Sequence, residues 1–140
     1  MPMDKKSAIA RWVTEGQFVG EGGSGSTLTM GSGGFSPMEL VLVGLAGCTG
    51  VDVVGILKKK RQEVTGFEVR VCGLRAEAHP RVYTRVEIEY VVRGHGIDAD
   101  AVAHAIELSE RKYCSVSAML AKTAEVCTSF RIGEAGDVPA

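Results

Sequence analysis

Ser36-Pro37-Met38-Glu39-Leu40-Val41-Leu42-Val43-Gly44-Leu45-Ala46-Gly47-Cys48-Thr49 decides how the rest of this chain reads. Serine at the N-cap, proline at the first helical position and glutamate at the third make a capping box with a proline start. The spacing predicts a helix from Pro37 to about Lys60, closed by Lys58-Lys59-Lys60-Arg61, where cations meet the negative end of the macrodipole. Leu40 to Val51 carries no charge, but Asp52 interrupts the run short of the roughly 20 apolar residues that a membrane span needs. A helix buried on most sides is expected instead. At helical spacing Gly44, Gly47, Cys48, Val51 and Gly55 share one face. Each interior glycine costs about 1 kcal/mol against alanine, so the stripe calls either for close approach of a neighbouring helix or for access to the Cys48 thiol.

Upstream of that helix, Ala8–Val13 reads as a strand. Eight glycines between positions 16 and 34 punctuate the short apolar stretches Gln17–Val19 and Thr27–Met30, which predicts a meander of short strands. Downstream, Val64–Ala78 and Val82–Val92 read as an antiparallel hairpin turning at Ala78-His79-Pro80-Arg81. Its second strand places Val82, Thr84, Val86, Ile88 and Tyr90 on one face, with Tyr83, Arg85, Glu87 and Glu89 on the other. Asp98 caps a helix to about Lys112, Cys114 lies just past it, Ser115–Lys122 reads as a short helix and Glu125–Ile132 as a last strand. A single α+β domain over 1–140 is expected, with the tail frayed from about residue 134.

At 140 residues, with 45% hydrophobic and 24% charged residues, the chain is long enough to bury a core of ordinary globular composition. A net charge of −1 offers nothing to nucleic acid or to an anionic membrane. Lys5 and Lys6 are followed by mixed residues instead of an apolar core, so a secretory leader is not expected and a cytoplasmic location is. In a reducing compartment a disulfide is catalytic more often than structural. Gly20-Glu21-Gly22-Gly23-Ser24-Gly25 matches a dinucleotide fingerprint only formally, because a strand follows it where a helix should. His79, His95 and His104 lack mutual metal spacing, and no metal or organic cofactor is expected.

The remaining chemistry lies in four cysteines, none in a CxxC arrangement. Cys72 and Cys127 fall inside predicted strands and read as inert core packing. Cys48 sits on the glycine-striped helix face, where small neighbours either pack or open a path to sulfur. Cys114 starts a short helix, where backbone N–H groups favour a thiolate. Electrostatics alone therefore makes Cys114 the better nucleophile.

Ser36-Pro-Met-Glu-Leu-Val-Leu-Val-Gly-Leu-Ala-Gly-Cys-Thr49, followed by Lys112-Tyr-Cys-Ser-Val-Ser117, resembles the OsmC/Ohr family, over roughly residues 7 to 132. The resemblance implies antiparallel sheets wrapped around two long central helices, and two chains intertwined as a homodimer. It also implies a thiol-dependent peroxidase acting on small apolar organic hydroperoxides. Cys48 would attack the peroxide and become a sulfenic acid, Cys114 would condense with it to a Cys48–Cys114 disulfide, and an external dithiol would reopen the bond. That order reverses the electrostatic one. Peroxidase members carry a supporting arginine in the N-terminal region and a glutamate directly after the proline. Here Met38 follows the proline and Glu39 comes one residue later, while no arginine or lysine lies between Arg11 and Lys58, and Gln17 is the polar residue in the expected region. Glu39, Gln17 and Asp52, one turn beyond Cys48, are the supporting candidates; Arg11, Arg111 and Lys112 are the available cations. The alternative is a small-ligand-binding or thiol-redox-sensing protein on the same fold.

Overall fold

The computed structural model describes residues 4–135, which form two compact units meeting within one helix, after Val41. In the first unit, β1 (Ala8–Thr14), β2 (Gln17–Gly22) and β3 (Thr27–Gly31) make an antiparallel meander in the order β1-β2-β3. Glycines at positive φ, Gly16 and Gly31, turn the chain at the meander's end, and the backbone of Gly16 comes so close to Gly31 that no side chain would fit there. Helix α1 (Pro37–Lys59) starts on the expected box. Ser36 Oγ accepts from the Glu39 N–H at 3.1 Å, and the Glu39 carboxylate accepts from the Ser36 N–H at 2.9 Å.

The second unit is built on a three-stranded sheet of order β4-β5-β6, from β4 (Glu63–Arg75), β5 (Tyr83–His95) and β6 (Glu125–Glu134). β4 and β5 form the expected antiparallel hairpin, with Val69 opposite Tyr90. β6 runs parallel to β5, Phe130 beside Tyr90, so this sheet is mixed where the family resemblance suggested antiparallel strands alone. A helical crossover makes the parallel return sterically available. That crossover consists of α2 (Ala99–Leu108), a π turn (Ser109–Tyr113) and α3 (Ser115–Leu120). Asp98 caps α2 as expected, accepting from the Asp100 N–H at 3.0 Å. The second helix is thus ten residues long and ends in a widened turn.

One further expectation fails at the start of β5. Tyr83 is buried and Thr84 exposed, the reverse of the predicted alternation, because the pairing shifts register between Leu74 and Arg75. The Tyr83 ring lies over Gly73, where a Cβ would come within 2.5 Å of it. Beyond the shift the alternation holds, and Val86, Ile88, Tyr90 and Val92 point into the core. Leu45, Thr49, Val53 and Leu57 of α1, spaced at i+4, meet that face fully buried, as do Val102 and Ala105 of α2. Each fully buried aliphatic side chain contributes roughly 1.5–3 kcal/mol.

The other side of α1 is open. By length and by a mean hydropathy of 2.2 the helix could cross a membrane, but only 22% of that apolar stretch is buried, so burial on most sides is not what the single chain provides. Val51 is 76% exposed, and a Cβ on Gly44, Gly47 or Gly55 would meet nothing within 4 Å. Of the helix's glycines only Gly50 is backed by the sheet, where a Cβ would lie 3.4 Å from Val69 and 3.6 Å from Phe67. The side that faces the sheet carries the buried stripe, and beside it the Asp52 carboxylate is bonded to Ser109. The frayed tail expected from residue 134 lies largely outside the described residues.

Candidate functional site

The crossover returns the chain to the middle of α1 and brings Cys114 against Cys48. Both are free thiols, close enough for the Cys48 sulfur to act on the ionisation of Cys114, with Cys48 half-buried and Cys114 buried. A local device places Cys114. Its N–H donates to the Ser109 carbonyl at 2.7 Å, the five-residue reach of the π turn, and its backbone then turns extended as the N-cap of α3. The Ser117 N–H donates to its sulfur at 3.4 Å.

Burial pushes the Cys114 thiol up to about 11; the Ser117 amide pulls the other way without prevailing, and the neighbouring Cys48 sulfur adds to the rise. The expectation that a helix start would make Cys114 the thiolate is therefore overturned. The Ser117 and Val116 amides at the start of a six-residue helix do not compensate for removing a charged sulfur from water. Burial thus favours the protonated form of Cys114.

Beneath the thiols lies a buried chain of hydroxyls that the sequence did not single out. Thr49 Oγ1 lies 2.7 Å from the Tyr90 hydroxyl and 2.8 Å from Ser109 Oγ, which donates to Asp52 Oδ2 at 3.1 Å. Thr49, Tyr90 and Ser109 are all fully buried. Burial raises Tyr90 to about 12, the Thr49 hydroxyl opposes the shift, and the charges of Glu110, Cys114 and Asp52 add to it. Glu110, on the π turn, is itself raised by burial, against a hydrogen bond with Thr128. The signal available in the sequence was weak: Thr49 adjoins Cys48, and Tyr90 was placed on the inward face of β5.

Among the supporting candidates, Asp52 is half-buried and receives the Ser109 hydroxyl; it also lines a cavity of about 200 Å³ with Lys59 and Tyr113. Glu39 and Gln17 belong to the first unit. The Glu39 carboxylate is engaged in the capping box, and the Gln17 amide donates to the Ser32 carbonyl at 2.9 Å. The cations are engaged too. Arg11 pairs with Glu21 at 2.9 Å, Arg111 with Glu107 at 2.6 Å, and Lys112 lies over the Tyr113 ring.

Cys72 and Cys127 depart from the expected core packing. Cys72 is exposed and Cys127 half-exposed, both on the outer face of the sheet with Glu87 between them in one cross-strand row. His79, His95 and His104 are exposed, and among the described residues no cluster of His, Cys, Asp or Glu could hold a metal ion. Along the open side of α1 runs an apolar groove of about 730 Å³, bounded by Val43, Gly47, Val51, Val54 and, from the sheet, Phe67 and Val69.

Comparison with known proteins accounts for this architecture. The family model described as OsmC-like protein matches residues 29–129. Protein YhfA of Escherichia coli K12 is 40% identical over 129 residues, spanning 89% of this chain and 96% of its own. A hypothetical protein of Aquifex aeolicus superposes with a TM-score of 0.88 at 39% identity, over 94% of this chain and 98% of that one. The organic hydroperoxide resistance protein OhrB of Bacillus subtilis shares the fold, with a TM-score of 0.63 at 15% identity over 91% of this chain and 98% of its own.

Proposed function

Because the chain belongs to the OsmC-like protein family, we propose that it is a thiol-based redox enzyme that reduces organic hydroperoxides. The observation that carries this reading is the contact between two free thiols from distant parts of the chain, one of which keeps its proton. The Cys48 sulfur attacks the distal oxygen of the peroxide, the O–O bond breaks, and the products are a Cys48 sulfenic acid and an alcohol that takes up the thiol proton. Cys114 then attacks the Cys48 sulfur. Its own proton leaves with the hydroxyl as water, and a Cys48–Cys114 disulfide forms. A dithiol reductant returns both thiols, so the cycle draws its electrons from that reductant with no metal or organic cofactor, and it suits a reducing compartment such as the cytoplasm. Cys114 is suited to the resolving role, since a buried, protonated sulfur does not compete for the peroxide.

The open side of α1 favours a homodimer. Three glycines with free space above them and an apolar groove beside them accept a helix at close range, and a second copy presents that same surface. Gly47→Leu should then yield monomers in light scattering, whereas an unchanged mass would remove the dimer from the proposal.

A second reading, a thiol-redox sensor without peroxide specificity, draws on the engagement of Glu39, Gln17 and Arg11 within the first unit. One experiment separates the two. Reduced protein is mixed with cumene hydroperoxide or hydrogen peroxide in single turnover and followed by mass spectrometry. Rapid Cys48–Cys114 disulfide, faster with the organic peroxide and absent in Cys48→Ser and Cys114→Ser, is the expected result. Oxidation no faster than that of a free thiol overturns the peroxidase.

A further inference from the structure

The hydroxyl chain beneath the thiols is more than a satisfied polar core, because it is anchored on the same short segments that carry the two sulfurs. Thr49 follows Cys48 directly, and Asp52 lies one helical turn beyond it. Ser109 opens the π turn that ends at Cys114, and it acts twice: its hydroxyl bridges Thr49 and Asp52, while its carbonyl receives the Cys114 N–H. We propose that Asp52, acting through Ser109 and Thr49, is a positioning residue that holds Cys114 against Cys48 for disulfide closure. This rests on reading Cys48 and Cys114 as the redox pair.

Proton counting gives the chain a direction. A hydroxyl carries one proton, and Ser109 spends its own on the Asp52 carboxylate, which can only accept. Ser109 must then accept from Thr49, and Thr49 in turn from Tyr90. Tyr90 can fill the donor's place because a phenol keeps its proton through neutral pH, and burial raises this one further. The order Tyr90 to Thr49 to Ser109 to Asp52 is therefore single-valued while Asp52 is a carboxylate. An asparagine there would fill the same space, yet its amide both donates and accepts, so the order would be lost. The charged and titratable groups around Tyr90 are Asp52 on α1 and Glu110 and Cys114 on the crossover.

The role is read from the closing step, apart from the first attack on sulfur. Diamide oxidises vicinal thiols without a peroxide site: the Cys48 sulfur adds across its N=N bond, and Cys114 then displaces the hydrazine and forms the disulfide. Stopped-flow and quenched mass spectrometry resolve adduct from disulfide in the wild-type chain and in Asp52→Asn, Ser109→Ala and Thr49→Ser. Asp52→Asn and Ser109→Ala are expected to slow closure at least about tenfold more than they change adduct formation, because small displacements of a reacting group carry large rate penalties. Thr49→Ser, which keeps the hydroxyl, should close at nearly the wild-type rate. Closure within twofold of wild type in Asp52→Asn overturns the proposal, as does an equal slowing of adduct formation and closure, which marks a purely structural role. Should Ser109→Ala fail to fold by circular dichroism, the near-isosteric Asp52→Asn decides alone. A wild-type protein that closes with diamide but ignores cumene hydroperoxide removes the peroxidase and leaves this positioning role standing.

Discussion

The molecule carries two pairs of cysteines, and they differ in everything except the residue. Cys72 and Cys127 occupy one cross-strand row of a regular sheet, each paired with Glu87. Two strand spacings put their Cα atoms about 9–10 Å apart, beyond the roughly 7 Å limit for a disulfide. Cys127 is held protonated, by desolvation first and then by its bond to Glu125. Cys48 and Cys114 are joined by an irregular route, a helix broken by a π turn, and meet in the core. Regular secondary structure keeps residues at fixed lattice distances; departures from it bring two chosen sulfurs into contact.

The contrast is broken most completely by removing sulfur. Cys48→Ser or Cys114→Ser should abolish intramolecular disulfide formation under mild oxidation, while the double variant Cys72→Ser/Cys127→Ser should form it as the wild type does, read by intact mass before and after alkylation. A Cys72–Cys127 disulfide would reverse the comparison. Next in size is reactivity. In Cys48→Ser, Cys114 should react with iodoacetamide at pH 8 tens of times more slowly than in the urea-unfolded chain, roughly in line with a thiol raised by burial.

Stability sharpens the same contrast. Thr49→Val leaves the Tyr90 and Ser109 hydroxyls without their shared partner and should cost about 1–3 kcal/mol in urea unfolding. Glu87→Gln, on the outer face, should stay within about 0.5 kcal/mol, because exposed ion pairs contribute little. A further effect is in alkali. Cys114 and Tyr90 are both raised on folding, from 9.0 to about 11 and from 10.0 to about 12. The folded chain then holds protons that the unfolded chain gives up above pH 9, so this part of the stability is full below pH 9 and is lost as pH rises toward 12. Tyr90→Phe should remove the upper half of that decline in a pH series of urea melts.

Much of this architecture was legible beforehand because its determinants are local. The start of α1 rests on residues three positions apart, and Ser36 and Glu39 bond as the capping rule demands. The β4–β5 hairpin follows from alternation and a turn. What escaped depends on partners far off in the chain. The parallel placement of β6 is set by where the crossover ends, and the burial of Tyr83 by a register shift between Leu74 and Arg75. The site divides in the same way. Two cysteines in distinctive surroundings could be read, but the network joining Thr49, Tyr90, Ser109 and Asp52 could not, since a serine in a helical stretch has no pattern of its own. Glu39 shows the converse: a residue singled out for chemistry is fully explained by its cap.

The π turn carries one consequence further. Between Ser109 and Cys114 the helix holds one residue more than an α-helical turn would, so the position of the second sulfur is encoded by a count instead of by a residue type. Deleting any one residue there would restore ordinary helical hydrogen bonding and carry Cys114 about 100° around the axis and about 1.5 Å along it, out of reach of its partner. A lineage could gain or lose this thiol pair by a single codon's insertion or deletion, with both cysteines intact and every motif still recognisable.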